Sequence, residues 1–110
     1  MLQPAEQQAL IADFKAAVTK LYGDRLAKVI LYGSYARGDA HEESDVDFLV
    51  VLKDKEVKPL SEIFRMSEVV HPIILQHNID ISFQPFSLNK FMNEKSAFLH
   101  WVRKEGKEIA

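Results

Sequence analysis

The chain has 110 residues and a mass of 12.6 kDa, enough for one domain and too little for two. Apolar residues make up 47% and charged residues 27%, which excludes a disordered tail, and no apolar run is long enough to span a membrane. With 14 Lys and Arg against 16 Asp and Glu, the net charge of -2 lacks the basic footprint of a nucleic-acid binder, so direct nucleic-acid contact is not expected.

Cysteine is absent, which removes disulfides, thiolate chemistry and Cys-based zinc sites. Met1 to Glu6 has neither the basic start nor the apolar block of a secretory signal. There is no internal repeat, and residues 1–55 carry 7 basic and 9 acidic side chains against 7 and 7 in residues 56–110, so no charge boundary divides the chain. The expectation is a single cytoplasmic domain over residues 1–110.

From Pro4 to Tyr22, the residues Leu10, Phe14, Val18 and Leu21 recur at helical spacing, with Pro4 suited to the first turn and Gly23 to the stop. Ala27 to Tyr32 is a short apolar run with β-branched Val29 and Ile30, which reads as a buried strand ended by Gly33-Ser34. Ser34 to Arg37 has room for one helical turn before Gly38. Asp45 to Leu52 reads as a second strand, with Val46, Phe48 and Val50 on one side and Asp45, Asp47, Leu49 and Val51 on the other. Pro59 to Val70 returns to helical spacing, and Pro72 is expected to end or kink that helix. Ile73 to Leu75 fits either a further turn or a connection. Ile79 to Phe83 alternates as a third strand ending at Pro85. A last helix, capped by Ser87 and stopped by Gly106, would turn Leu88, Phe91, Met92, Phe98, Leu99 and Val102 inward. This order predicts an α/β (α+β) sandwich, a sheet of three strands with helices packed on it.

The chemistry concentrates between Leu31 and Val50. A strand that delivers Gly33-Ser34 into a helical turn makes a corner suited to phosphate, because glycine permits close approach and the first N–H groups of the turn point outward. The same Gly-Ser pair is also common loop chemistry. Asp45 and Asp47, two apart on a strand, project to one side with about 6.8 Å between them, and leaning carboxylates can close on one Mg²⁺ at roughly 2.1 Å. Alternatively, Asp45 belongs to the polar loop and Asp47 is a solvated strand residue. Phe48 to Leu52 is continuously apolar, so two unpaired acids at the entry to a covered strand would carry a desolvation cost. Asp80 lies between Ile79 and Ile81 and would join the pair if the second and third strands are neighbours; otherwise it is an exposed acid near a turn. Three carboxylates on Mg²⁺ suit in-line phosphoryl or nucleotidyl transfer.

Gly33-Ser34, ten residues, then Asp45-Val46-Asp47 resembles the signature of the polymerase-β-like nucleotidyltransferase superfamily. The longer string from Gly33-Ser34-Tyr35-Ala36-Arg37-Gly38 to Ser44-Asp45-Val46-Asp47 is similar, more narrowly, to the minimal nucleotidyltransferase (MNT) group. The resemblance covers nearly the whole chain and implies a small mixed sheet of three to four strands. It further implies that Gly33 and Ser34 hold the β- and γ-phosphates of ATP and that Asp45, Asp47 and Asp80 bind one or two Mg²⁺ ions. Asp80 would also help deprotonate the acceptor, and Arg37 would neutralise phosphate charge or remain a surface arginine. Members that build polymers or modify antibiotics carry a further helical domain, which a chain of this size lacks. The resemblance therefore points to the antitoxin half of HEPN–MNT pairs, which transfers AMP to a tyrosine hydroxyl of its HEPN toxin. Two other readings stay open: an antitoxin that only covers its partner, and a stand-alone transferase with another acceptor. The apolar run Val69 to Leu75 is the expected docking surface, unless it is simply core.

Other candidates are weaker. His41-Glu42-Glu43 lacks the second histidine of a zinc-protease helix. His71, His77 and His100 are scattered. Arg103, Lys104 and Lys107 sit near a helix end, where the dipole favours cations. Trp101 is expected in the core or facing a partner.

Overall fold

A computed structural model describes all 110 residues, Met1 to Ala110. Helix α1, Pro4–Tyr22, buries Leu10, Phe14, Val18 and Tyr22, a stripe repeating every four residues down one side. Its start is tied by the Gln3 N–H, which donates to Glu6 Oε1 at 2.9 Å. A 3₁₀ turn, Gly23–Arg25, leads into strand β1, Leu26–Tyr32. The short helix α2, Ser34–Arg37, follows at once, and strand β2, Val46–Leu52, runs back antiparallel to β1. Helix α3, Pro59–His77, crosses over to strand β3, Ile81–Ser87, which pairs parallel to β2. Helices α4, Leu88–Asn93, and α5, Ala97–Glu105, precede a two-residue strand β4, Lys107–Glu108, antiparallel to β1. The sheet order is β3-β2-β1-β4, a mixed four-stranded sheet.

Both faces of β2 are covered, as its apolar run requires. On one face Val29, Leu31, Val46, Phe48 and Val50 pack with Phe14 of α1 and with Met66, Val70 and Ile73 of α3. The rings of Phe14 and Phe48 stack at 3.9 Å, 6° from parallel. On the other face Ile30, Leu49 and Val51 meet Phe91 of α4 and Leu99 and Val102 of α5. Asp47, in register with Leu49 and Val51, belongs to this second face, the side that α5 covers.

Several expectations are settled or corrected here. Pro72 does not end the helix that begins at Pro59: Ile73 to Leu75 take the further turn rather than the connection, and the helix runs to His77 before Asn78 turns left-handed with φ 52°. An internal proline costs about 3 kcal/mol. Here Val70 and Ile73 are buried on either side of it, and their packing holds the helix together. The docking run Val69 to Leu75 is thereby divided: Val70 and Ile73 are core, and Leu75 is exposed.

The third strand is displaced from Ile79–Phe83 to Ile81–Ser87 and includes Pro85. Because β3 is the edge of the sheet, a residue without an N–H can be accommodated there. The last helix is two helices. Ser87 caps α4, accepting from the Lys90 N–H at 3.1 Å, and Ser96 caps α5, accepting from the Leu99 N–H at 3.2 Å. Arg103 bridges the break by donating to the Phe91 and Glu94 carbonyls at 2.6 and 3.1 Å. Met92, expected inward, is exposed.

Candidate active site

Gly33 ends β1 with φ 74°, a conformation that L side chains rarely adopt, and a Cβ there would collide with the carboxylate of Asp47. This follows from the register, which sets Tyr32 opposite Asp47. The chain turns directly into α2, where the Ala36 and Arg37 N–H groups both donate to the Gly33 carbonyl at 3.0 Å. The corner and the carboxylate are thus one unit: the glycine leaves the space that the acid occupies.

Asp47 is partly buried on the second residue of β2. Burial, and secondly the charge of Asp45, push its carboxyl up to about 6, and only the Arg37 charge pulls the other way. Arg37 Nε donates to Asp39 at 3.1 Å and Nη1 to Glu105 at 2.9 Å, so the guanidinium joins α2 to the end of α5. Gly33, Ser34, Arg37 and Asp47 line one cleft of about 830 Å³, a volume in the range of small-molecule sites.

Asp45 lies just before β2 rather than on it, and Asp80 just before β3, both exposed. The parallel register places them level with each other, and the Asp80 carbonyl accepts from the Val46 N–H at 3.0 Å. Their side chains share a second hollow of about 480 Å³ with Glu42 and Glu43. The three acids do not converge: no group of three or more acidic or histidine side chains is gathered closely enough to hold a metal ion. Because the strand starts at Ile81, Asp80 stands outside the pleat that would have aimed it beside Asp47.

Sequence reasoning missed the opposite wall of the cleft. Phe98, Trp101 and Glu105, on one edge of α5, face the phosphate corner, and His41 and Ser44 add to the rim. Ser44 Oγ accepts from the His41 N–H at 2.9 Å, folding the 39–44 loop on itself. Of the two places expected for Trp101, the core is ruled out: it is exposed in the cleft wall. Spacing of three and four residues, just off the buried stripe of Leu99 and Val102, was the available signal. Tyr32 supports this wall from the sheet, its ring edge-on to Phe98 at 5.4 Å. Burial, then the Asp47 charge, hold the Tyr32 hydroxyl above its usual value.

Residues 11–104 match the model of the nucleotidyltransferase domain family. The chain belongs to that family. A similar protein from Methanocaldococcus jannaschii, MJ0141, a candidate protein adenylyltransferase by its name, is 37% identical over 100 residues, covering 91% of this chain and 95% of its own length. MJ1305 of the same organism, with the same kind of name, is 36% identical over 73 residues, 66% of this chain and 50% of its own. Two solved structures share the nucleotidyltransferase fold. One, a toxin–antitoxin structure with AMP-PNP, has a TM-score of 0.59 at 20% identity over 87% of this chain and 72% of its own. The other, a mutant of the toxin–antitoxin MntA-HpeT, has a TM-score of 0.58 at 16% identity over 99% and 73%. The protein is a nucleotidyltransferase, and so an enzyme.

Proposed function

We propose that the cleft binds ATP with Mg²⁺ and that the enzyme transfers AMP to a hydroxyl of a partner protein, a HEPN-type toxin that the modification neutralises. The observation that carries this reading is the Asp47 carboxylate set against the Gly33 backbone in the same cleft as Ser34 and Arg37. Burial first and the Asp45 charge second push its carboxyl up, and the one guanidinium that opposes them is already shared by two other acids. Carboxylate oxygens in that state fit a hard divalent cation. Asp47 would hold the ion at the corner, and Asp45 and Asp80, which stand apart from it in the second hollow, would have to turn in to complete the set. Mg²⁺ when bound supplies positive charge against the triphosphate.

The protein's own groups account for the remaining demands of the reaction. Gly33 and Ser34 would receive the β- and γ-phosphates, and Arg37 would exchange its carboxylate partners for phosphate oxygens. The acceptor oxygen attacks the α-phosphorus as the bond to the bridging oxygen breaks, and pyrophosphate leaves. Asp80, exposed at the strand entry, would help take the hydroxyl proton. Such catalysis is positioning and charge stabilisation. The relatives named for protein adenylylation favour a protein acceptor, and the toxin–antitoxin neighbours favour a toxin.

The test is incubation with ATP labelled at the α-phosphate, Mg²⁺ and the protein that co-purifies with this chain. Label on an all-helical partner supports the reading. Tight association without label would replace it with a partner-covering antitoxin, and label on another acceptor with a stand-alone transferase.

A further inference from the structure

Helix α5 presents two edges with different tasks. Leu99 and Val102 are buried against the sheet, and they complete the core on that side. The neighbouring edge, Phe98, Trp101 and Glu105, faces the cleft. Glu105 accepts from Arg37, three residues beyond Ser34, at 2.9 Å, which places this end of α5 beside the phosphate corner. At 1.5 Å per residue, Trp101 lies about 6 Å back along the helix and Phe98 about 10 Å. Phe98 is held in place, edge-on to Tyr32 and stacked at 6.0 Å on Phe86. Trp101 is different: 52% of its surface is open to water, although it is the largest apolar side chain in the wall. The Lys104 ammonium sits 5.2 Å from its ring centre, and the core beneath is closed without it.

A polar corner and an open indole line the same cleft, the two kinds of surface that the phosphates and the base of a nucleotide require. We propose that Trp101 is the base-stacking residue of this site and that it takes the purine ring of a nucleoside triphosphate whose phosphates lie at Gly33-Ser34. The inference rests on the reading of the cleft as a nucleotide site and adds where the base goes and what selects it. Stacking on an aromatic ring favours the larger π surface without reading hydrogen-bond patterns. The site is therefore expected to prefer purine over pyrimidine triphosphates and to separate ATP from GTP only weakly.

Trp101 is the only tryptophan in the chain, so its emission reports on the site directly. The full chain is titrated, with Mg²⁺ present, with ATP, GTP, UTP and inorganic tripolyphosphate, following emission and heat in parallel. ATP and GTP are expected to quench the emission, while tripolyphosphate binds by calorimetry and leaves it unchanged. Trp101→Ala, checked for folding by circular dichroism, should weaken ATP about ten- to hundredfold and leave tripolyphosphate affinity as it was. Trp101→Phe, which keeps a stacking ring, should retain ATP affinity within a few-fold. Unchanged ATP affinity in Trp101→Ala overturns the proposal whatever the emission does, as does equal quenching by tripolyphosphate; in both cases the nucleotide site itself stands. Absence of heat with every ligand would remove the nucleotide reading and this inference together.

Discussion

Asp47 carries a carboxyl pushed up to about 6 by burial and by Asp45, above the 3.8 of an unperturbed aspartate. A carboxyl whose pKa is higher in the folded than in the unfolded chain adds stability that is complete below about 3.8 and lost as pH rises through about 6. At neutral pH, the folded metal-free protein therefore carries an ionised carboxylate at a cost. Asp47→Asn, which cannot ionise, is expected to be more stable than the parent near pH 7 by about 1–2 kcal/mol, allowing for solvent screening. The gap should close as pH falls towards 4, while nucleotidyl transfer is lost throughout. Urea unfolding in chelator across that range measures it, and equal stability near pH 7 would show that the carboxylate ionises without cost. Gly33→Ala meets both a left-handed backbone and the Asp47 carboxylate, and a loss of about 1–3 kcal/mol together with weakened ATP binding is expected. Calorimetry and thermal unfolding of the same sample would report the two effects separately.

Among the elements, α5 contributes most to the cleft that local patterns did not announce. Ser96 caps it, and Glu105 fastens its far end to Arg37. Ser96→Ala is expected to cost about 1 kcal/mol, the usual worth of an N-cap, and to reduce ATP affinity because the cleft wall frays with the helix. A thermal shift without any change in ATP binding would separate the helix from the site. The extent of α1, and those of β1 and β2 to within one residue, were legible because a four-residue stripe and two apolar runs are local patterns. So was the corner formed by Gly33, Ser34 and Asp47, which lies within fifteen residues. The path of α3 through Pro72, the proline within β3 and the break before α5 were not legible, because each depends on what packs against it. Trp101 and Glu105 reach the corner from more than sixty residues away and read, in isolation, as an ordinary amphipathic helix.

For the molecule as a whole, the end opposite the cleft is fastened by a cluster around Glu62, a buried acid of α3. The Tyr22 hydroxyl donates to it at 3.0 Å and Arg25 at 2.9 Å, while Arg25 also donates to Asp54 at 3.0 Å. These contacts join α1, the turn after it, the segment leaving β2 and α3. Burial, then the hydrogen bond to Glu62, push the Tyr22 hydroxyl well above its usual value. Removing one member of a buried charged cluster strands the others, so Glu62→Ala is expected to cost about 3 kcal/mol. Glu62→Gln, which keeps an acceptor for Tyr22, should cost less, and chemical denaturation of the pair would rank them. Equal losses would assign the effect to charge alone.

The parallel pairing of β2 with β3 has a temporal consequence. Asp45 and Asp80 are separated by thirty-five positions, and α3 must swing across the sheet before they stand side by side. Hairpin closure between β1 and β2 spans far less chain and carries a smaller entropic toll. During refolding, helical signal and the corner at Gly33 should therefore appear ahead of the second acidic hollow, leaving competence for chemistry as the last property the chain regains.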